Sequence, residues 1–208
     1  AIIIRSRDLH IQVKDCPMSN EHESSAGLGK IARDPDDDLK EALHELPYGM
    51  YVIGSSDGAT PNAMIADWVM QVSFNPRLIS VSYEIDSSTL ARIRKHKFFT
   101  VNLLNQENNG MALAAKFVQP TGSTKIKGRR GDGPAQKMNK LDGIDYWLSD
   151  TAVGCPILEN ALVYIECVAE QFIETGDHVL VIGKIIGGEP LNSGEPLTST
   201  YTGWNYSG

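Results

Sequence analysis

The chain has 208 residues, of which 41% are hydrophobic and 22% charged, and its 19 Lys+Arg against 26 Asp+Glu give a net charge of −7. That length bounds it at about one or two domains, enough to bury roughly 70% of the surface an unfolded chain exposes. The acidic balance argues against a general nucleic-acid binder, whose affinity rests on neutralising phosphates. No apolar run approaches the roughly 18–20 residues of a bilayer span. Cys16, Cys155 and Cys167 are an odd number without a CxxC pair, so neither a disulfide framework nor a zinc finger is indicated. Ile2-Ile3-Ile4 followed by Arg5 and Arg7 is too short for a signal core, and the expected compartment is the cytoplasm.

Residues 1–38 read as an N-terminal extension, because the stretch 19–27 is polar and unpatterned. The remainder, 39–208, reads as one domain. Asp36-Asp37-Asp38 offers N-cap carboxylates to a short helix, whose Leu39, Ala42, Leu43 and Leu46 recur at helical spacing before Pro47. From Tyr48 the signals turn to β. The run 50–54 ends at Ser55-Ser56-Asp57-Gly58, and Asp-Gly between apolar runs marks a hairpin. Residues 62–73 read as a strand and an irregular loop. Over 77–85, Ile79, Val81, Tyr83 and Ile85 alternate with Leu78, Ser80, Ser82 and Glu84, the period of a half-buried strand.

A helix is expected over 88–95 with Leu90 and Ile93 inward, a strand over 98–104, and a helix over 109–117. Residues 119–140, rich in Gly, Pro, Lys and Arg, read as a basic loop. Strands follow over 161–172, long enough to bend, and 178–186, ending at Gly187-Gly188. Strands dominate, so the fold class is mainly β, a closed or sandwich-like domain with peripheral helices. C-terminal Tyr201, Trp204 and Tyr206 suit either a cover over a partner's cofactor or packing at a dimer seam.

Several catalytic devices are missing from the sequence: no GxxxxGK[ST] loop, HExxH, GxSxG elbow or EF-hand spacing. The five histidines form no i, i+4 pair, and no metal site is expected. One segment stands apart. Asp86-Ser87-Ser88-Thr89 is a hydroxyl-rich turn at a helix start, where unpaired N–H groups and the positive dipole end hold an anion such as a phosphate; a plain N-cap is the other reading of Ser87, Ser88 and Thr89. Upstream, Met64, Ala66, Trp68, Gln71 and Ser73 crowd into one stretch. An isoalloxazine needs such an apolar slot, rimmed by backbone N–H groups and amides, although Met and Trp also serve as core. Asp67 suits a ribityl hydroxyl, a flavin N–H or a neighbouring turn.

Taken together, these residues resemble the flavin reductase-like family, the FMN-binding split barrels. The matching pieces are 62–68 (Asn-Ala-Met-Ile-Ala-Asp-Trp), 71–76 (Gln-Val-Ser-Phe-Asn-Pro), Ile85-Asp86, Ser88-Thr89 with Ile93, 98–104 (Phe-Phe-Thr-Val-Asn-Leu-Leu), 115–117 (Ala-Lys-Phe), and 176–183 (Gly-Asp-His-Val-Leu-Val-Ile-Gly) with Ile185. The likeness covers about 46–190, and it is similar to the flavin reductase-like modules of some flavodiiron proteins. It implies a six-stranded Greek-key split barrel and a homodimer with FMN near the interface, FAD being the alternative flavin. The implied cofactor residues are Asn62, Ala63, Met64, Ile65, Ala66, Asp67, Trp68, Gln71, Val72 and Ser73 along ring and ribityl chain, mostly through backbone atoms. Ser87, Ser88 and Thr89 would hold the phosphate, with Lys116 and Phe117 near phosphate or ring.

His178 either faces the nicotinamide side, as a catalytic residue, or closes a turn with Asp177. Many members carry Thr-Ala-Ser where this chain has Ile65-Ala66-Asp67, which removes two hydroxyls and adds a charge that repels phosphate at short range. The basic residues Lys125, Lys127, Arg129 and Arg130 either offset that charge or form a solvated loop. The implied activity is hydride transfer from NADH or NADPH through the flavin to free flavin, oxygen or a protein partner. The alternatives are a non-enzymatic flavin-binding electron-transfer protein and a flavin-less split-barrel scaffold.

Overall fold

The computed structural model describes residues 35–118 and 139–204. The expectations for Cys16, for the polar stretch 19–27, for Lys125, Lys127, Arg129 and Arg130, and for Tyr206 lie outside them. Helix α1 (Pro35–His44) begins on proline, whose fixed φ and absent N–H suit a first helical position. Asp36, Asp37 and Asp38 therefore fall in its first turn rather than before it. Its expected apolar stripe is not covered by the other described residues: Leu39, Leu43 and Leu46 are all exposed.

Strands β1 (Tyr51–Ser56) and β2 (Pro61–Ala66) form the hairpin that Asp57-Gly58 announced. Gly58 sits at φ +87, a conformation open to glycine at no steric cost. Residues 62–73 are not strand plus loop. They are the rest of β2 and a new strand, β3 (Val69–Phe74), joined by the dipeptide Asp67-Trp68. β4 (Arg77–Glu84) keeps the expected alternation, with Ile79, Val81 and Tyr83 buried, but it stops one residue early and leaves Ile85 exposed. Helix α2 (Ser88–His96), β5 (Phe98–Leu103) and helix α3 (Gly110–Val118) follow as expected.

Two short strands, β6 (Tyr146–Leu148) and β7 (Pro156–Leu158), pair as a separate ribbon that the sequence reading did not contain. β8 (Val163–Glu174) bends through two register shifts, and β9 (His178–Pro190) runs on past Gly187-Gly188 to pair with the start of β8. A single-turn helix, α4 (Ser199–Thr202), ends on Gly203. No helix among the described residues is long and apolar enough to cross a membrane.

The main sheet has seven strands in the order β2-β1-β5-β8-β9-β4-β3, all neighbours antiparallel. The count exceeds the expected six because 61–74 divides in two. The outermost strands, β2 and β3, are consecutive in the chain, so the sheet curls until its edges meet at Asp67-Trp68. Inside the curl lies a core of Ile53, Val81, Tyr83, Leu90, Ile93, Phe99, Val101 and Cys167. A second core, including Val52, Ala63, Leu104, Leu113, Phe117 and Leu158, packs under α3, and Trp204 packs against it. Trp204 is thus built into its own chain's packing.

A buried amide joins the layers. Asn102 on β5 donates through Nδ2 to the Val52 carbonyl (3.0 Å) on β1 and accepts through Oδ1 from the Leu158 N–H (2.9 Å) on β7. An unpaired buried donor costs about 1–3 kcal/mol. Asn102→Ala strands the Leu158 N–H, and urea denaturation is expected to show a loss of about 1–3 kcal/mol, whereas a surface Asn→Ala shifts the curve little.

Candidate functional site

The helix that carries the hydroxyl cluster is started by that cluster. Ser87 is the N-cap, its Oγ accepting from the Leu90 N–H at 3.5 Å, and the turn is completed by the Ser87 N–H donating to the Glu84 carbonyl at 3.0 Å. The first-turn N–H groups have no helical acceptor, and α2 has no acidic residue in its first turn. Ser88 is exposed; Thr89 is buried.

Strand β2 faces this helix start with alternate side chains. Asn62 Nδ2 donates to Thr89 Oγ1 at 3.3 Å, and the Ser87 hydroxyl donates to Met64 Sδ at 3.7 Å. Ala66 continues that face into the first core, while Ala63 and Ile65 turn the other way into the second. The period of two therefore divides the predicted set. The Ile65 side chain points away from the face that holds Asn62 and Met64, so a hydroxyl at that position would not have reached Ser87. Phe117 is also in the second core, at 1% exposure. Its side chain therefore packs into that core beside Ala63 and Leu113. Lys116 Nζ donates to the Asp142 carbonyl. Nearby Lys140 is buried, donates to the Phe117 carbonyl at 3.0 Å, and has its ammonium pushed down to about 8 by burial.

A second cluster forms at the corner between β2 and β3. His178, the first residue of β9, is 8% exposed and pairs with Glu84 across the ladder. Its Nδ1 lies 2.8 Å from Asp177 Oδ1, and its ring centroid is 5.0 Å from that of Trp68 at a tilt of 39°. The turn-closing contact and the placement beside Trp68 thus coexist. The Asp177 carboxyl is held below its ordinary value, first by its hydrogen bond to His178.

Asp67 behaves oppositely: burial raises its carboxyl above the ordinary range, against the opposing pull of its own N–H, the Trp68 N–H and His178. Five residues of extended chain, about 16 Å, separate Asp67 from Asn62. That is well beyond the few ångströms at which the repulsion of a phosphate by Asp67 is expected. On β3, Gln71 Nε2 donates to the Ser73 carbonyl at 3.2 Å across a bulge at Val72. Gln71 and Val72 are exposed and Ser73 half-buried.

The donors at the start of α2 are the Ser88 and Thr89 N–H groups, which have no helical acceptor, and the exposed Ser88 hydroxyl, with no carboxylate in the first turn and Asp86 just before the cap. No group of His, Cys, Asp and Glu among the described residues is placed to hold a metal ion. The sequence reading missed Arg92 and Asp57, which pair at 2.9 Å behind the helix start. The signal available was their distance from Thr89 and Asn62 along helix and hairpin.

The raised Asp67 carboxyl has a stability consequence. Its folded value lies above its unfolded one, so the folded chain holds the extra proton in that window and loses stability as pH rises through it. Asp67→Asn is expected to be more stable than the parent at pH 7, with the difference shrinking as pH falls through the raised value toward about 3.9 and staying constant below it. Urea melts at the two pH values check this; a gap independent of pH overturns it.

Compared with known proteins, residues 43–205 match the flavin reductase like domain. A diflavin flavoprotein of Synechocystis is 28% identical over 92% of this chain and 33% of its own length. A high molecular weight rubredoxin of Moorella thermoacetica is 30% identical over 77% of this chain and 64% of its own. The chain therefore spans one third to two thirds of these curated relatives. Among solved structures, an NADH:FAD oxidoreductase of Streptomyces globisporus superposes with a TM-score of 0.63 at 22% identity, over 84% of this chain and 93% of that one, a likeness of fold. With its seven-stranded curled sheet and the match over 43–205, this chain belongs to the flavin reductase-like domain family.

Proposed function

We propose that the chain is a flavin reductase-type oxidoreductase that binds FMN, with FAD as the alternative, and takes hydride from NADH or NADPH. The observation that carries this reading is the convergence of Asn62 and Met64 on Ser87 and Thr89, at 3.3 and 3.7 Å, around a helix start with free donors. A bound flavin supplies the two-electron centre that accepts hydride from reduced nicotinamide and passes electrons to free flavin, oxygen or a protein partner.

The chain's own groups position it. Ser87, Ser88 and the first-turn N–H groups of α2 hold the phosphate. Asn62 and Met64 flank the ribityl chain by side chain, Ala63, Ile65 and Ala66 by backbone. Asp67, Trp68, Gln71, Val72 and Ser73 form the wall of the ring, Asp67 receiving a ribityl hydroxyl or the N3–H. Lys116 lies at the far side, already engaged on Asp142, and Phe117 backs the Ala63 wall from the core. His178 faces the nicotinamide side, its imidazole fixed by Asp177 and Trp68. Hydride transfer itself needs orientation and exclusion of water rather than an acid or base, which suits a site without a nucleophile.

The working unit is residues 39–208, with 1–38 an extension, and the family match from residue 43 supports that division. A homodimer is part of the reading. Edge strand β3 exposes Met70 at 64% and Phe74 at 78%, with Val72 between them, an apolar edge that a monomer would need to protect. The buried free thiols Cys155 and Cys167 suit the reducing cytoplasm. A second reading, an electron-transfer module without its own nicotinamide site, is favoured by the fraction of the diflavin relatives that the chain spans.

Purified protein is expected to show flavin absorption, or acquire it on adding FMN, and to oxidise NADH or NADPH above the free-flavin rate. A colourless protein that does not take up FMN overturns the reading; a yellow protein reduced by dithionite but inert to both nucleotides transfers it to the electron-transfer module. His178→Ala is expected to slow hydride transfer roughly tenfold or more while FMN affinity, followed by fluorescence quenching, stays unchanged.

A further inference from the structure

Helix α2 is zipped to the β1–β2 turn along one stripe. Thr89 meets Asn62 at 3.3 Å through its Oγ1. One turn on, Arg92 Nη1 donates to the Thr60 carbonyl at 2.8 Å and lies 2.9 Å from Asp57 Oδ2. A further turn on, His96 Cε1 lies 3.9 Å from the position a Cβ would take on Gly58. Positions 89, 92 and 96 lie along one stripe of α2, and the groups they meet run from Asn62 on β2 back through Thr60 and Asp57 to Gly58 in the turn.

Only the middle contact is a charged pair, and Asp57 is itself built into the turn. Its Oδ1 accepts from the Ala59 and Thr60 N–H groups at 3.1 and 2.7 Å. Those two bonds, followed by Arg92, hold its carboxyl below the ordinary range. Arg92 thus grips the hairpin through both a side chain and a carbonyl. Neither residue reaches the cleft by the contacts above, since Arg92 lies a turn beyond Thr89 and points at the hairpin.

We propose that Arg92 and Asp57 are positioning residues that set the spacing between the Ser87–Thr89 helix start and the Asn62–Met64 face of β2, and so determine recognition of the flavin's phosphate. This rests on the function proposed above. A latch at this place acts on the phosphate end and leaves the distant ring end, at Asp67 and Trp68, largely unmoved. It therefore governs the preference for FMN over riboflavin, the same ring and ribityl chain without phosphate.

The test is the ratio of riboflavin to FMN dissociation constants for the parent, Arg92→Lys and Asp57→Asn, with thermal melts recorded alongside. Both variants are expected to lower the ratio about tenfold, chiefly through weaker FMN binding, 1.4 kcal/mol by that factor. Asp57→Asn separates positioning from charge: it removes a negative group and leaves Arg92 cationic, so a purely electrostatic role predicts an unchanged or larger ratio. Either of those outcomes overturns the proposal. So does a parental ratio in Arg92→Lys, or a loss that falls equally on both flavins, which reports only a weakened fold. Failure of the parent protein to bind either flavin overturns the proposed function instead, and is seen before any variant is made.

Discussion

Two residues connect the two edges of this sheet, and the rest of the architecture is arranged around that short link. β2 and β3 lie at opposite ends of the strand order yet are separated only by Asp67 and Trp68. Consecutive Cα atoms stand about 3.8 Å apart, so the edges cannot diverge by more than about three such steps. The sheet has to curl, and its concave side becomes the principal core. At the link itself the ladder is interrupted. The Val69 N–H turns back to the Asp67 carbonyl at 2.9 Å, and the Ser82 N–H reaches the Trp68 carbonyl at 3.1 Å. A barrel open at one seam has backbone polar groups outside a regular ladder, beside an apolar interior.

Electrostatics follow from the same seam. Asp67 and His178 are brought to it by different elements, and the aromatic ring of Trp68 stands against the imidazole. Burial penalises the Asp67 charge, whereas exposed Asp177 has its charge favoured by His178. Two carboxylates near one imidazole are thus pushed in opposite directions by their surroundings. At the other end of β2, α2 begins on hydroxyls with no first-turn carboxylate, and Asp86 stands just before its cap.

Much of this was legible in the sequence where a local rule had one outcome. The Asp57-Gly58 turn, the alternation of β4 and the Ser87 cap each rest on backbone chemistry within a few residues, and each is found in place. The seam was not legible, because Asp67-Trp68 contains neither glycine nor proline, and its turn is imposed by sheet closure. β6 and β7, at three residues each, are too short to show a period and exist by pairing with each other. The α1 stripe misled in the other direction: helical spacing of Leu39, Leu43 and Leu46 promised burial, and the helix forms with those side chains exposed. Periodicity reports which face is apolar; it does not report what covers it.

Within the candidate site, the resemblance to a family supplied a contiguous stretch, and the pleat of β2 divides that stretch by packing partner. Asn62 and Met64 meet the helix, whereas Ala63 and Ile65 pack under α3 with Phe117. The Ile65 side chain contributes packing to the second core. Asp67 instead brings a carboxyl to the seam, where burial raises it. Substituting one residue while leaving its neighbours on the opposite pleat face intact changes the cleft and the core independently. A strand shared by two cores can in this way change on one face while the other is kept.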